Sequence, residues 1–155
     1  MIKKGIKTPA KHLYDLALKA ASRKHPDLAR ASALLEEAHD QGDRRATYAM
    51  ATWYLFGNEV YPKNLRKAVQ LLKLAAMADI ASAHFDLAVS YETGQGIKKN
   101  EQAAYRHFLA AALNGDNESL TEVGRCLYYG IGIARDRKAA EVWFRRAEAL
   151  GVDVR

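Results

Sequence analysis

Cysteine, proline and long apolar runs are all scarce in this chain, and each scarcity closes off a class of protein. The single cysteine, Cys126, permits no internal disulfide, which rules out a bridge-stapled scaffold and fits a reducing compartment. With only 3 prolines, 49% hydrophobic and 27% charged residues, the composition is that of a folded chain and not of a disordered tail. No segment approaches the roughly 18 uninterrupted apolar residues that a membrane span needs. The N-terminus, MIKKGIKTPAKHLYDLALKAASRKH, is basic but lacks the apolar stretch and small-residue cleavage site of a secretory signal. Together these absences give the expectation of a cytoplasmic protein that does not engage a membrane.

Acidic residues are nearly missing from one region. Residues 1–24 hold Lys3, Lys4, Lys7, Lys11, Lys19, Arg23 and Lys24 against Asp15 alone, which accounts for the whole net charge of +6. The remainder is neutral. A basic arm can touch phosphates or an acidic partner, but no row of lysine or arginine interleaved with aromatics runs through the rest of the chain. A solvated N-terminal helix is therefore the first reading of this segment, and nucleic-acid binding through it stands only as a further alternative.

What the chain has in abundance is recurrence. Gly94 and Gly96 return as Gly130 and Gly132, and Ala75 returns as Ala111 and then Ala147, each step being 36 positions. Gly57 precedes Gly94 by 37, so one residue is inserted between Gly57 and Ala68. Periods of this size mark stacked helix pairs, in which most glycines and alanines are architectural. At 155 residues, a single domain burying about 70% of its unfolded surface is expected.

Helix boundaries follow from capping chemistry. Thr8 before Pro9 reads as an N-cap followed by proline at the first helical position, opening a helix to about Arg23. Asp27, Asn64, Asn100 and Asp136 each stand four residues before an alanine of the series Ala31, Ala68, Ala104 and Ala140. Their side-chain oxygens can accept from otherwise orphaned first-turn amides, so each opens the second helix of a pair. Those helices are expected to end near His39, Met77, Leu113 and Ala149, with Gly42, Gly115 and Gly151 as left-handed terminators and Asp79 in the fourth place. The first helices carry large, small, large triplets: Met50, Ala51, Tyr54; Leu87, Ala88, Tyr91; Val123, Gly124, Leu127. This is the pattern of tight crossings. Leu71, Leu72, Phe108, Trp143 and Phe144 fill the same role on the second helices.

The segments AHFDLAVSYETGQGIKKNEQAAYRHFLAAALNGD and SLTEVGRCLYYGIGIARDRKAAEVWFRRAEALG resemble two consecutive Sel1-like repeats, relatives of the tetratricopeptide repeats. ATYAMATWYLFGNEVYPKNLRKAVQLLKLAAMAD is similar, but Gly57, Asn58 and Glu59 replace the glycine-any-glycine turn, so a distorted loop is expected. DLARASALLEEAHDQGD matches only a second helix, leaving residues 9–23 as a degenerate first helix. The resemblance covers roughly residues 27–151 and divides the chain into a degenerate pair at 9–42 and repeats at 43–79, 80–115 and 116–151. It implies an all-α, right-handed superhelix of about eight helices in antiparallel pairs, with a role in assembling protein complexes and no particular reaction.

Chemically suggestive residues have bland readings of their own. Gly94-Gln95-Gly96 and Gly130-Ile131-Gly132 follow helices instead of strands, so they read as inter-helix loops and not as phosphate cradles. Cys126 occupies the register of Trp53 and Ser90 with no adjacent histidine, the mark of an inert buried thiol. His12, His25, His39, His84 and His107 show none of the close pairings of a metal site, and Glu36, Glu37 and Glu141 fall on solvated faces. No metal, cofactor or catalytic residue is expected, and the chain reads as a non-enzyme.

Resemblance to tetratricopeptide arrays implies that the first helices line a concave surface. Counting from the large-small pairs points Tyr48, Thr52, Leu55 and Phe56, then Phe85, Val89, Glu92 and Thr93, then Thr121, Arg125, Tyr128 and Tyr129 inward. An aromatic groove with one arginine and one glutamate suits an extended peptide or a partner helix. The leading expectation is a non-catalytic adaptor binding a protein segment there. The alternative is a small immunity or neutralising protein that occludes a toxin, which the resemblance to immunity proteins built from such repeats also implies. A second surface is the final helix, where Ala139, Val142, Trp143, Arg146 and Leu150 form an edge with no polar capping helix after it, so the chain is expected as a monomer or as a homodimer through that edge.

Overall fold

A computed structural model describes residues 8–154, so Lys3, Lys4 and Lys7 of the basic N-terminus lie outside the described residues. These fold into eight α-helices without strands: α1 (Ala10–Ala21), α2 (Leu28–Asp40), α3 (Arg44–Phe56), α4 (Leu65–Ala76), α5 (Ala81–Thr93), α6 (Glu101–Leu113), α7 (Glu118–Tyr129) and α8 (Arg137–Ala149). Each helix has 12 or 13 residues, short enough to be marginal in isolation, so their stability comes from packing. Helices pair as α1 with α2, α3 with α4, α5 with α6 and α7 with α8, and each pair rests on the next through α2–α3, α4–α5 and α6–α7. The result is an all-α solenoid of antiparallel helix pairs.

Local chemistry fixes the pairs as the capping pattern requires. Asp27, Asn64, Asn100 and Asp136 accept from the amides of Arg30, Lys67, Ala103 and Ala139 at 2.9–3.0 Å. Each capping residue also donates its own amide back to the preceding helix, to the carbonyls of Ala20, Tyr54, Tyr91 and Leu127 at 2.8–2.9 Å. One residue therefore starts the second helix and ties it to the end of the first. The first helix departs from its expected start. Pro9 itself is the cap, with ψ 141°, and no side chain caps α1; the Thr8 carbonyl instead accepts from Gln41 Nε2 at 3.2 Å, and the helix stops at Ala21, short of Arg23. Asp79 takes φ 54°, supplying the left-handed turn that glycine supplies after the other second helices.

The core is built on alanine. Ala31, Ala68, Ala104 and Ala140, and two turns later Ala38, Ala75, Ala111 and Ala147, are at most 1% exposed, letting second helices approach their neighbours closely. Ala46, Ala83 and Ser119, with Ala51 and Ala88, do the same on first helices at 0% exposure. Larger groups fill the flanks: Met50, Leu71 and Leu72 in the N-terminal half, Phe108, Leu120 and Val123 in the C-terminal half. Gly132 shows why the repeat turn needs its second glycine. A Cβ there would overlap the backbone carbonyl of Glu101, and one at Gly96 that of Leu65, because each turn sits directly on the start of the previous pair's second helix.

The turn lacking that glycine is rebuilt around an aromatic. Asn58 Oδ1 accepts from the amides of Val60 and Tyr61 at 2.9 and 2.8 Å, and the inserted stretch swings Tyr61 inward to 5% exposure. Its ring stacks on Tyr54 at 4.6 Å and its hydroxyl donates to Glu36 at 2.6 Å. The tyrosine thus bridges back to the previous pair, the connection the glycine turn makes elsewhere.

Candidate functional site

Side chains from alternate helices meet along one face. Tyr48 on α3 donates its hydroxyl to Asp86 on α5 at 3.0 Å. Arg125 on α7 reaches back to Glu92 on α5 at 2.6 Å and to Glu122 one turn away at 2.7 Å. The first helices α3, α5 and α7 are therefore neighbours, joined by polar bonds. Burial opposes the Arg125 charge, but the bonds to Glu92 and Glu122 outweigh it and hold the guanidinium well above its usual range. Burial and the nearby Asp116 carboxylate raise the Asp86 carboxyl against the lowering effect of the Tyr48 hydrogen bond.

Beyond Arg125 the face opens into a cavity of about 340 Å³ lined by Thr121, Arg125, Tyr128, Tyr129, Phe144 and Val154. Tyr128 and Tyr129 meet edge to face at 4.9 Å, and Tyr129 is 68% exposed. Thr121 Oγ1 is buried without a hydrogen-bond partner. At the middle of the face, Phe85 sets its edge against core Phe108 at 5.8 Å. Thr52 and Thr93 turn their hydroxyls to the carbonyls of Ala49 and Val89. Leu55 and Val89 are partly buried against the core, while Phe56, at the end of α3, is 81% exposed.

Asp86, Asp116, Glu122, Phe144 and Val154 belong to this face and are not singled out by the inward-position count. Asp86 lies beside Phe85 in sequence, and Asp116 caps α7 by accepting from the amide and hydroxyl of Ser119; neither has a motif to mark it. Val154 reaches the cavity only because the chain turns back after α8, where the Val152 amide donates to the Ala147 carbonyl at 3.0 Å.

Two histidines also come together that show no pairing in sequence. The Nδ1 atoms of His84 and His107 are 2.9 Å apart, Asp79 Oδ1 is 3.4 Å from His84 Nε2, and Tyr91 stacks on His107 at 5.7 Å. Burial, then the charges of His84 and Lys73, push His107 down to about 4. Among the described residues no group of three or more His, Cys, Asp or Glu is placed to hold a metal. Cys126 is fully buried and burial pushes its thiol up to about 11, far from a reactive thiolate.

On the terminal edge, Val142 and Leu150 are 66% and 54% exposed and Arg146 is exposed, whereas Ala139 and Trp143 are partly buried against the C-terminal core. Among the described residues no helix is long and apolar enough to cross a membrane.

This architecture is that of an all-α repeat solenoid, built from stacked helix pairs. The Sel1 repeat pattern matches residues 44–80, 81–116 and 117–152, and the chain belongs to the Sel1 repeat family, whose members generally mediate protein–protein interaction. It is similar to an uncharacterized Neisseria meningitidis protein, 33% identical over 92 residues that make up 59% of this chain and 20% of that protein. It is also similar to the chitin synthase regulator SKT5 of Saccharomyces cerevisiae, 32% identical over 54% of this chain and 12% of that protein. The chain thus matches a fifth or less of these relatives' lengths. Among solved structures, a protective antigen of uropathogenic Escherichia coli superposes with TM-score 0.86 at 28% identity, over 92% of this chain and 31% of that one. An immunity protein of Pseudomonas aeruginosa shares the fold alone, with TM-score 0.63 at 21% identity over 96% of this chain and 57% of that one.

Proposed function

We propose that this chain is a non-catalytic adaptor that holds a segment of a partner protein along the face made by α3, α5 and α7. The observation that carries the reading is the cavity of about 340 Å³ walled by Tyr128, Tyr129 and Phe144. Aromatic anchors in a concave site, with arginine beside them, are where binding energy concentrates in protein interfaces. Family membership supports the same class of role, and the buried Cys126 thiol offers no competing chemistry.

The test is recovery of partners on the immobilised chain, identified by mass spectrometry, with a Phe85→Asp, Tyr128→Asp double variant and a Tyr129→Asp variant alongside. Tyr129→Asp matters because Tyr129 is exposed and its replacement leaves the core intact. Losing one such anchor is expected to cost about 2 kcal/mol, roughly thirtyfold in affinity. A partner bound equally by all three proteins, each with an unchanged helical spectrum, places binding elsewhere.

A further inference from the structure

We infer that the segment held on this face is basic, setting a lysine or arginine against Asp86 and Asp116 and an apolar side chain into the cavity beside Tyr128. The inference rests on the groove reading above and adds the chemistry of its occupant. Asp86, Glu92, Asp116 and Glu122 share the face, and Arg125 is committed to two of them, Glu92 at 2.6 Å and Glu122 at 2.7 Å. Asp86 receives only the Tyr48 hydroxyl and Asp116 only the Ser119 amide and hydroxyl. Among the described residues neither carboxylate has an ion-pair partner. Arg137 lies over the Tyr128 ring at 4.8 Å and lines a separate cavity with Lys138, Glu141 and Arg145.

Asp86 is half-buried and its charged neighbour is another anion. A hydroxyl donor eases a buried carboxylate without neutralising it, so an external cation is the group that completes the arrangement. The second observation comes from the other end of the face. Thr121 Oγ1 is buried and unpaired on the wall of the aromatic cavity, although a helical threonine ordinarily returns this hydroxyl to the preceding turn. Turned about its Cα–Cβ bond toward the cavity, this hydroxyl would pair with a backbone group of a bound segment, while an aliphatic or aromatic side chain fills the space between Tyr128, Tyr129 and Phe144. Asp116 precedes α7, and the part of the cavity wall from Arg125 to Tyr128 lies roughly 14–18 Å along it at 1.5 Å per residue. An extended chain spans that in about four or five residues. The occupant is therefore an extended segment with a basic residue four or five positions from a bulky apolar one.

A random peptide library displayed on phage, panned against the full chain, tests this. Selected peptides are then synthesised and titrated by fluorescence anisotropy against the unaltered chain, Asp86→Asn and Tyr129→Asp, with thermal melts confirming that each variant folds. Asp86→Asn keeps an acceptor for the Tyr48 hydroxyl and removes only the charge. The expected result is a lysine or arginine at the stated spacing from leucine, methionine or an aromatic, with affinity falling about tenfold in Asp86→Asn and with added salt. Peptides that need Tyr129 but carry no basic residue, or bind Asp86→Asn equally well, overturn the charge inference and leave the groove reading standing. Peptides indifferent to both variants, or recovery of nothing but the chain's own basic N-terminal sequence without dependence on Tyr129, overturn both.

Discussion

Tyr48, Asp86, Glu92 and Arg125 illustrate how much of this protein's chemistry is decided by single side chains reaching across helices. The carboxylates are pinned by partners 33 and 38 residues away in sequence, so their roles depend on the stacking of pairs. Glycine acts at the same scale through its missing Cβ. Gly115 has φ 99° with nothing near its would-be Cβ, whereas Gly132 has φ 68° and faces the Glu101 backbone. Gly115→Ala pays only for a left-handed alanine, about 1 kcal/mol, while Gly132→Ala must also displace the turn from α6 and is expected to cost about 3 kcal/mol. Paired thermal or urea melts check this, and equal losses would show that the turn yields without strain.

At the scale of the element, α7 and α8 cross through Gly124, whose added Cβ would lie 2.5 Å from the Phe144 ring. Repeats one and two carry Ala51 and Ala88 in this register, both 0% exposed, so a methyl fits elsewhere and not here. Gly124→Ala gains helix propensity of about 1 kcal/mol but overpacks the crossing by about 1–3 kcal/mol. A net loss of stability is expected. Adding Phe144→Leu, which makes room for the methyl, is expected to remove the overpacking and leave a coupling between the two sites that a double-mutant cycle measures. Strict additivity would mean that the ring turns aside at no cost.

Across the whole molecule, stability is coupled to pH through the histidine pair that links α5 and α6. His107 is held down to about 4 from 6.5, so between those values the unfolded chain binds a proton that the folded chain refuses. Stability therefore falls as the pH drops through that window and levels off below about 4. His84 and Lys73 add to burial in opposing a positive charge on His107. Asp86 contributes with opposite sign nearer its ordinary range, because its raised carboxyl binds protons more readily in the folded state. The two are separated by His107→Gln: melts from pH 7 to pH 4 are expected to show a shallower loss in the variant, and an unchanged slope would assign the acid sensitivity to another group.

The solenoid was legible in the sequence because each signal for it is local and repeated. Four caps at Asp27, Asn64, Asn100 and Asp136 act within a single turn, and alanines at a fixed period can only face a neighbouring helix. Asn58 and Glu59 in place of the glycine turn were enough to expect a distorted loop, but not to find Tyr61 filling it, since that depends on Glu36 two helices earlier. Likewise Tyr48, Phe85, Arg125 and Tyr128 could be counted onto a face from helical spacing, while Asp116 beside Asp86, Val154 in the cavity and His84 against His107 could not. Sequence by itself determined the helices, their caps and their pairing, because those follow from backbone hydrogen bonding and side-chain size within one repeat. Only the tertiary structure decided which charges meet and where the aromatic face opens, because electrostatic contact falls off with distance in space and takes no account of separation along the chain.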